Sequence, residues 1–141
     1  MVAGKQVLTN LQYIHRVADL EGGSPNAPLI GFRRHGGGNQ TFNFQPDNDT
    51  QALISIPLKD RDLWVTSANP SPGDLIRGAE GNGSLYTVHQ RPNSIVKLSI
   101  KSKDGTTNLF WTLESDVPQT KITLKPENGS ANQLWALSPP A

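Results

Sequence analysis

Asp19 and Glu21, two positions apart and followed by Gly22-Gly23, are the acids that the chain's first repeat offers for a catalytic pair. Cleaving a glycosidic bond with such a pair requires two carboxyl groups facing each other across one pocket. The segment offers Asp19 no acidic partner except Glu21, so the chain reads as a non-enzyme. His15, His35 and His89 stand apart with no HxH or HExxH spacing, which argues against zinc or iron. Asp47-Asn48-Asp49 has the flavour of a calcium loop but lacks the glycine at the sixth position and the glutamate at the twelfth, so it is expected to be a polar turn. No Gly-x-Ser-x-Gly or phosphate-loop pattern occurs, and Gly36-Gly37-Gly38 lies between strand-like segments rather than before a helix. The absence of cysteine removes thiolate ligands, thiol nucleophiles and disulfides together. No cofactor is expected, and recognition remains as the chemistry available.

The elements that would present such a recognition site follow from composition. At 141 residues the chain has the size of one domain, and its 13 glycines and 11 prolines are spread along the whole length. Charged residues make up only 18 %, so short strands joined by turns are expected rather than long helices, and the class is all-β. A formal net charge of +1, with no basic cluster larger than Arg33-Arg34, lacks the footprint of a nucleic-acid binder or of an anionic-membrane binder. No window approaches the roughly 20 apolar residues of a membrane span, and the first residues show no secretory leader. A soluble, cytoplasmic protein without a signal peptide is the expectation.

Internal periodicity sharpens the class into an architecture. Three related endings occur, Asn39-Gln40-Thr41-Phe42, Gly83-Ser84-Leu85-Tyr86 and Asn132-Gln133-Leu134-Trp135, whose final aromatics lie 44 and then 49 residues apart. Upstream of each, a Pro-containing turn leads through a short apolar strand to a Gly-rich loop. The order is Ser24-Pro25, Leu29-Ile30 and Gly36-Gly37-Gly38 in the first unit, and Ser71-Pro72, Leu75-Ile76 and Gly81-Asn82-Gly83 in the second. In the third it is Val117-Pro118, Ile122 with Leu124, and Asn128-Gly129. Alternation in Val96-Lys97-Leu98-Ser99-Ile100, followed by the hairpin signal Asp104-Gly105, marks strands, as do Ile54, Ile56 and Leu58. About four strands per unit, or about twelve in all, must close on one another to bury their apolar faces. Three such units predict a pseudo-threefold β-trefoil in one domain, residues 1–141, with repeats near 1–47, 48–91 and 92–141; a propeller typically needs at least four blades.

Gln133-Leu134-Trp135 and the near match Gln40-Thr41-Phe42 resemble the Gln-x-Trp signature of ricin-B lectins, over the whole chain. The run Ala18-Asp19-Leu20-Glu21-Gly22-Gly23, with Ile30-Gly31-Phe32, His35-Gly36-Gly37 and Asn39-Gln40, is similar to the first repeat of small ricin-B-like lectins from mushrooms. The resemblance implies a carbohydrate-binding protein for galactose or N-acetylgalactosamine on glycoproteins or glycolipids, with Asp19 and Asn39 as the polar pair. A carboxylate beside an amide that both donates and accepts matches vicinal sugar hydroxyls, and an apolar surface suits the C–H face of the ring. Phe32 and His35 are the candidates for that surface, Gly22, Gly23 and Gly36 for close backbone approach, and Gln40 for bracing Asp19 or the turn.

Counting back the same distance in the other repeats reaches Leu63-Trp64-Val65 and Trp111-Thr112-Leu113, neither with an acid, so one competent site is expected. Glu114 and Asp116 are near enough to leave a secondary site in the third repeat open. With one site per chain, a homodimer is the expected route to avidity. Asp19→Ala, treated as a surface change, is expected to abolish binding at a stability cost within about 1 kcal/mol. The competing reading is a β-trefoil protease inhibitor that presents Arg33, Arg34, Lys59 or Arg61 on a loop.

Overall fold

The alternating segments form twelve strands in the computed structural model, which describes residues 1–140. The first third of the chain supplies β1 (Gly4–Asn10), β2 (Val17–Leu20), β3 (Leu29–Phe32) and β4 (Phe42–Pro46). The second supplies β5 (Gln51–Pro57), β6 (Asp62–Thr66), β7 (Arg77–Ala79) and β8 (Tyr86–Arg91). The last supplies β9 (Ile95–Lys101), β10 (Asn108–Leu113), β11 (Thr120–Pro126) and β12 (Trp135–Ser138). Among the described residues, no helix is long and apolar enough to cross a membrane.

Six strands close into a ring of antiparallel pairs: β1 with β4, β4 with β5, β5 with β8, β8 with β9, β9 with β12, and β12 with β1. Closure leaves no open edge in the ring. The other six form the hairpins β2–β3, β6–β7 and β10–β11, which meet one another cyclically. Thr120 pairs with Gly31, Pro28 with Arg77, and Leu75 with Thr123. A six-stranded barrel with three hairpins around a pseudo-threefold axis is a β-trefoil.

Close packing of the hairpins explains Gly31. A Cβ there would lie 2.8 Å from the Leu113 side chain. The three repeat-ending aromatics, Phe42, Tyr86 and Trp135, are fully buried. They gather around Trp111, whose ring lies edge-on to Phe42 and Tyr86 at 6.4 and 5.3 Å and whose carbonyl accepts the Trp135 indole N–H at 3.2 Å.

Two details differ from the periodicity. Leu75-Ile76 does not begin the second hairpin's return strand. The chain turns at Gly73 (φ +89°), whose N–H donates to the Leu124 carbonyl, so Leu75 bridges to Thr123 and pairing with β6 starts only at Arg77. On β9, Lys97 occupies the polar side of the alternation yet is buried, with its ammonium on Glu127 at 2.6 Å and 5.7 Å from the Phe110 ring centre. The Asp104-Gly105 turn joins β9 to β10, and hydrogen bonds from Ser102 and Thr106 hold the Asp104 carboxyl down at about 2.

Strand register aligns the repeats residue by residue. Val17, Trp64 and Phe110 occupy one position, opposite Thr9, Ser55 and Ser99. Two residues on, Asp19, Thr66 and Thr112 correspond, opposite Ile30, Arg77 and Thr123 in the hairpins. The count that reached Leu63-Trp64-Val65 therefore runs too far back. The second repeat's counterpart of Asp19 is Thr66, which precedes Ser84 by only 18 positions, whereas Asp19 precedes Gln40 by 21.

Candidate functional site

Asp19 lies near the end of β2, on the side of the strand away from its core neighbours Ala18 and Leu20. Its carboxylate is only 2 % exposed and is surrounded by donors. Asn39 Nδ2 donates to Oδ1 at 3.1 Å, Gln40 Nε2 donates to Oδ2 at 2.8 Å, and His35 Nε2 stands 3.4 Å from Oδ2. A carboxylate has about four acceptor positions, so these three leave about one free. Burial pushes the Asp19 carboxyl above its usual value of 3.8, against the lowering by Gln40 and His35.

The donors are held by a 3-10 turn, Gly38–Gln40, which carries Asn39 and Gln40 under β2. Gln40 is buried and fully used: Nε2 also donates to the Arg33 carbonyl at 2.7 Å, and Oε1 accepts the His35 N–H at 2.9 Å. Asn39 gives its second amide hydrogen to the Leu20 carbonyl at 3.0 Å, and its Oδ1 accepts from no described residue. His35 Nδ1 accepts the Gly37 N–H at 3.0 Å, which puts the ring proton on Nε2, facing Asp19.

These groups open onto a cleft of about 190 Å3 lined by Asp19, Glu21, Gly22, Ile30, Phe32, His35, Asn39 and Gln119. Phe32 and His35 form its apolar side, edge-to-face at 6.1 Å, with the Arg33 guanidinium 5.6 Å from the Phe32 ring centre. Gly22 lines the cleft in the left-handed region (φ +64°), which favours glycine. Gly36 does not line it. It turns the chain at φ +78° so that the next N–H, that of Gly37, reaches His35, and its part is in loop geometry.

Two residues at this site escaped the sequence reading. Gln119 comes from the β10–β11 connection, with a left-handed φ of +69° and its N–H on the Gly31 carbonyl at 3.0 Å. No feature of Val117-Pro118-Gln119 points back to the first repeat; the contact exists because β11 pairs with β3. Gly37 is the other. A Cβ there would lie 2.7 Å from the His35 ring and 2.9 Å from Asn39 Oδ1, closer than real Cβ contacts allow. Gly37→Ala is expected to displace both side chains and lower ligand affinity about tenfold, with thermal stability nearly unchanged because the site is at the surface. Parallel calorimetric titration and thermal melts of the variant check this, and unaltered affinity would contradict the geometry.

The third repeat keeps the bracing without the acid. Gln133 Nε2 donates to Thr112 Oγ1 at 3.0 Å and to the Pro126 carbonyl at 2.9 Å, and Oε1 accepts the Asn128 N–H at 3.1 Å, matching Gln40 bond for bond. In the second repeat Ser84 replaces the glutamine and accepts the Ser67 N–H at 2.8 Å. Glu114 and Asp116 face outward beside Lys125 and Arg16. Gln40→Ala and Gln133→Ala are expected to cost similar stability, about 1–3 kcal/mol each from orphaned buried groups. Only Gln40→Ala should also weaken ligand binding; urea unfolding and titration of the two variants separate these roles.

The class defined by fold and cleft is a β-trefoil with a carboxylate-centred polar cleft on its first repeat. Neither a protein-family model nor a curated protein matches the sequence. Similar solved structures include ThreeFoil, a designed threefold-symmetric protein, at 20 % identity and a TM-score of 0.77 over 95 % of this chain and 97 % of that one. The Rhizoctonia solani agglutinin is similar at 18 % identity and a TM-score of 0.76, covering 97 % and 95 %. A Macrolepiota procera ricin B-like lectin, solved with lactose, is similar at 19 % identity and a TM-score of 0.71, covering 99 % of both chains. At these identities the likeness is one of fold, and it includes fungal lectins.

Proposed function

We propose that this chain is a soluble, non-enzymatic carbohydrate-binding protein whose first-repeat cleft takes a terminal galactose or N-acetylgalactosamine of a glycoprotein or glycolipid. The observation that carries the reading is the pre-set network of Asp19, Asn39, Gln40 and His35 beside Phe32. Its remaining acceptors, Asn39 Oδ1 and one position on Asp19, suit sugar hydroxyls as donors, and the His35 contact at 3.4 Å is loose enough for a hydroxyl to replace. Thr66 and Thr112 at the corresponding positions cannot supply the carboxylate, which favours one competent site per chain. Pairing into a homodimer would then double the valency on a glycan-bearing surface.

The inhibitor reading draws less support. Arg34 is tied to Ser138 and the Pro139 carbonyl, Arg61 is paired with Glu80, and Arg33 leans on Phe32, so among the four residues considered only Lys59 is exposed without such a contact. A glycan array read beside a trypsin-inhibition assay decides between them. Retention of galactose-terminated glycans without inhibition is the expected result; inhibition with no glycan bound overturns the proposal.

A further inference from the structure

A cleft of about 410 Å3 lies on the second repeat, lined by the chain from the end of β6, Thr66 to Asn69, by Gly73 to Leu75 and by Arg77. That volume falls within the roughly 300–1,000 Å3 usual for ligand pockets, which the first-repeat cleft does not reach. It is not a repeat copy of the first cleft. Thr66 and Arg77 stand where the first cleft has Asp19 and Ile30, but Gly83 and Ala79, the counterparts of Asn39 and Phe32, are absent from the lining, and the β6–β7 loop residues Gly73 to Leu75 take their place.

Two opposite charges face this cleft without an ion-pair partner among the described residues, and each is fixed by the backbone. Arg77 Nη1 donates to the Asn26 carbonyl at 2.8 Å, which leaves the rest of the guanidinium fork unused. Asp74 Oδ2 accepts the Ser71 N–H at 2.9 Å, which leaves Oδ1 open. The loop carrying Asp74 is clamped to the third repeat, with Lys103 N–H on the Pro70 carbonyl, Gly73 N–H on the Leu124 carbonyl, and Leu124 N–H on the Asp74 carbonyl. At the inner end, the Thr66 and Ser84 hydroxyls lie 3.3 Å apart and the Ser67 and Tyr86 hydroxyls 2.7 Å apart, while Ala68 and Leu75 add apolar surface.

A ligand that satisfies this arrangement carries an anion for the guanidinium fork, a hydroxyl donor for the open Asp74 oxygen, and a C–H face for Leu75. We propose that the second-repeat cleft binds an acidic sugar of the uronic-acid class, its carboxylate on Arg77 and a ring hydroxyl on Asp74. This site is independent of the first-repeat reading and would stand if that reading failed.

The test is a titration of the isotope-labelled full chain with sodium galacturonate, followed by amide NMR, with galactose and acetate run separately. Galacturonate is expected to shift the amides of Ser67–Leu75 and Arg77 with a millimolar midpoint that excess galactose leaves unchanged. Arg77→Gln is expected to raise that midpoint about tenfold or more, as loss of a forked charge-assisted contact requires. Asp74→Asn, which keeps the shape and the bond from Ser71, should raise it too and serves if the arginine variant fails to fold. Unmoved amides up to about 50 mM galacturonate, a midpoint untouched by either substitution, or the same midpoint with acetate would each overturn the proposal.

Discussion

Asp19→Ala is expected to lower affinity for galactose-terminated glycans about a hundredfold or more while destabilising the fold by about 1–3 kcal/mol. The second effect corrects the expectation of a near-neutral surface change. Asp19 is 2 % exposed, and its removal strips a partner from Asn39, Gln40 and His35 together. Binding and stability should also separate with pH. Burial raises the folded-state pKa of Asp19 above 3.8, so the folded protein holds this proton more tightly than the unfolded chain. The contribution of Asp19 to stability is then fullest below the usual carboxylate value and is lost as pH rises through the raised one. Sugar binding runs the other way, since the protonated acid loses acceptor capacity, and it should begin to fail on acidification at a higher pH than an exposed aspartate would dictate. Calorimetric titration and urea unfolding across pH 4–7 measure both trends. Retention of full affinity by Asp19→Ala would remove this residue from the site.

Trp111→Ala should cost about 3–5 kcal/mol, enough to unfold a domain of ordinary stability. Its ring is the shared packing surface for the first and second repeats' aromatics, Phe42 and Tyr86, so the cavity left would open where the repeats meet. Trp111→Phe gives the contrasting result. The Trp111 indole N–H is buried without a partner among the described residues, and its removal offsets part of the lost packing, for a net cost within about 1.5 kcal/mol. Urea midpoints of the two variants check the pair, and equal destabilisation would mean that the nitrogen is satisfied in solution.

What the sequence disclosed and what it withheld divide along a physical line. Phe42, Tyr86 and Trp135 recur because each repeat must deliver one large apolar group to a common axis, and such a pattern survives in one dimension. Asp104-Gly105 was legible because a hairpin turn is local. The bracing by Gln40 was legible on the same logic, since its partner Asp19 lies 21 positions back within its own repeat, and Gln133 repeats the spacing with Thr112. The second repeat's counterpart of Asp19 was sought at Leu63-Trp64-Val65 and not at Thr66 because a shorter second repeat shifts the count, and only strand register restores the correspondence. Gln119 was invisible because its contact with the first repeat is made by a strand pairing 89 positions apart in sequence, Thr120 on β11 with Gly31. The burial of Asp19 was hidden for a related reason: glycine neighbours suggest an exposed turn, whereas the carboxylate is covered by Asn39, Gln40 and His35.

The pairing of β11 with β3 also orders events during synthesis. Asp19, His35 and Asn39 leave the ribosome early, but Gln119 takes its place only once the third repeat has emerged, several seconds later at ordinary rates of elongation. The barrel likewise stays open until β12 arrives to join β1 and β9. A nascent chain can therefore hold every residue of the first repeat and still lack a finished cleft until β11 has emerged and paired with β3.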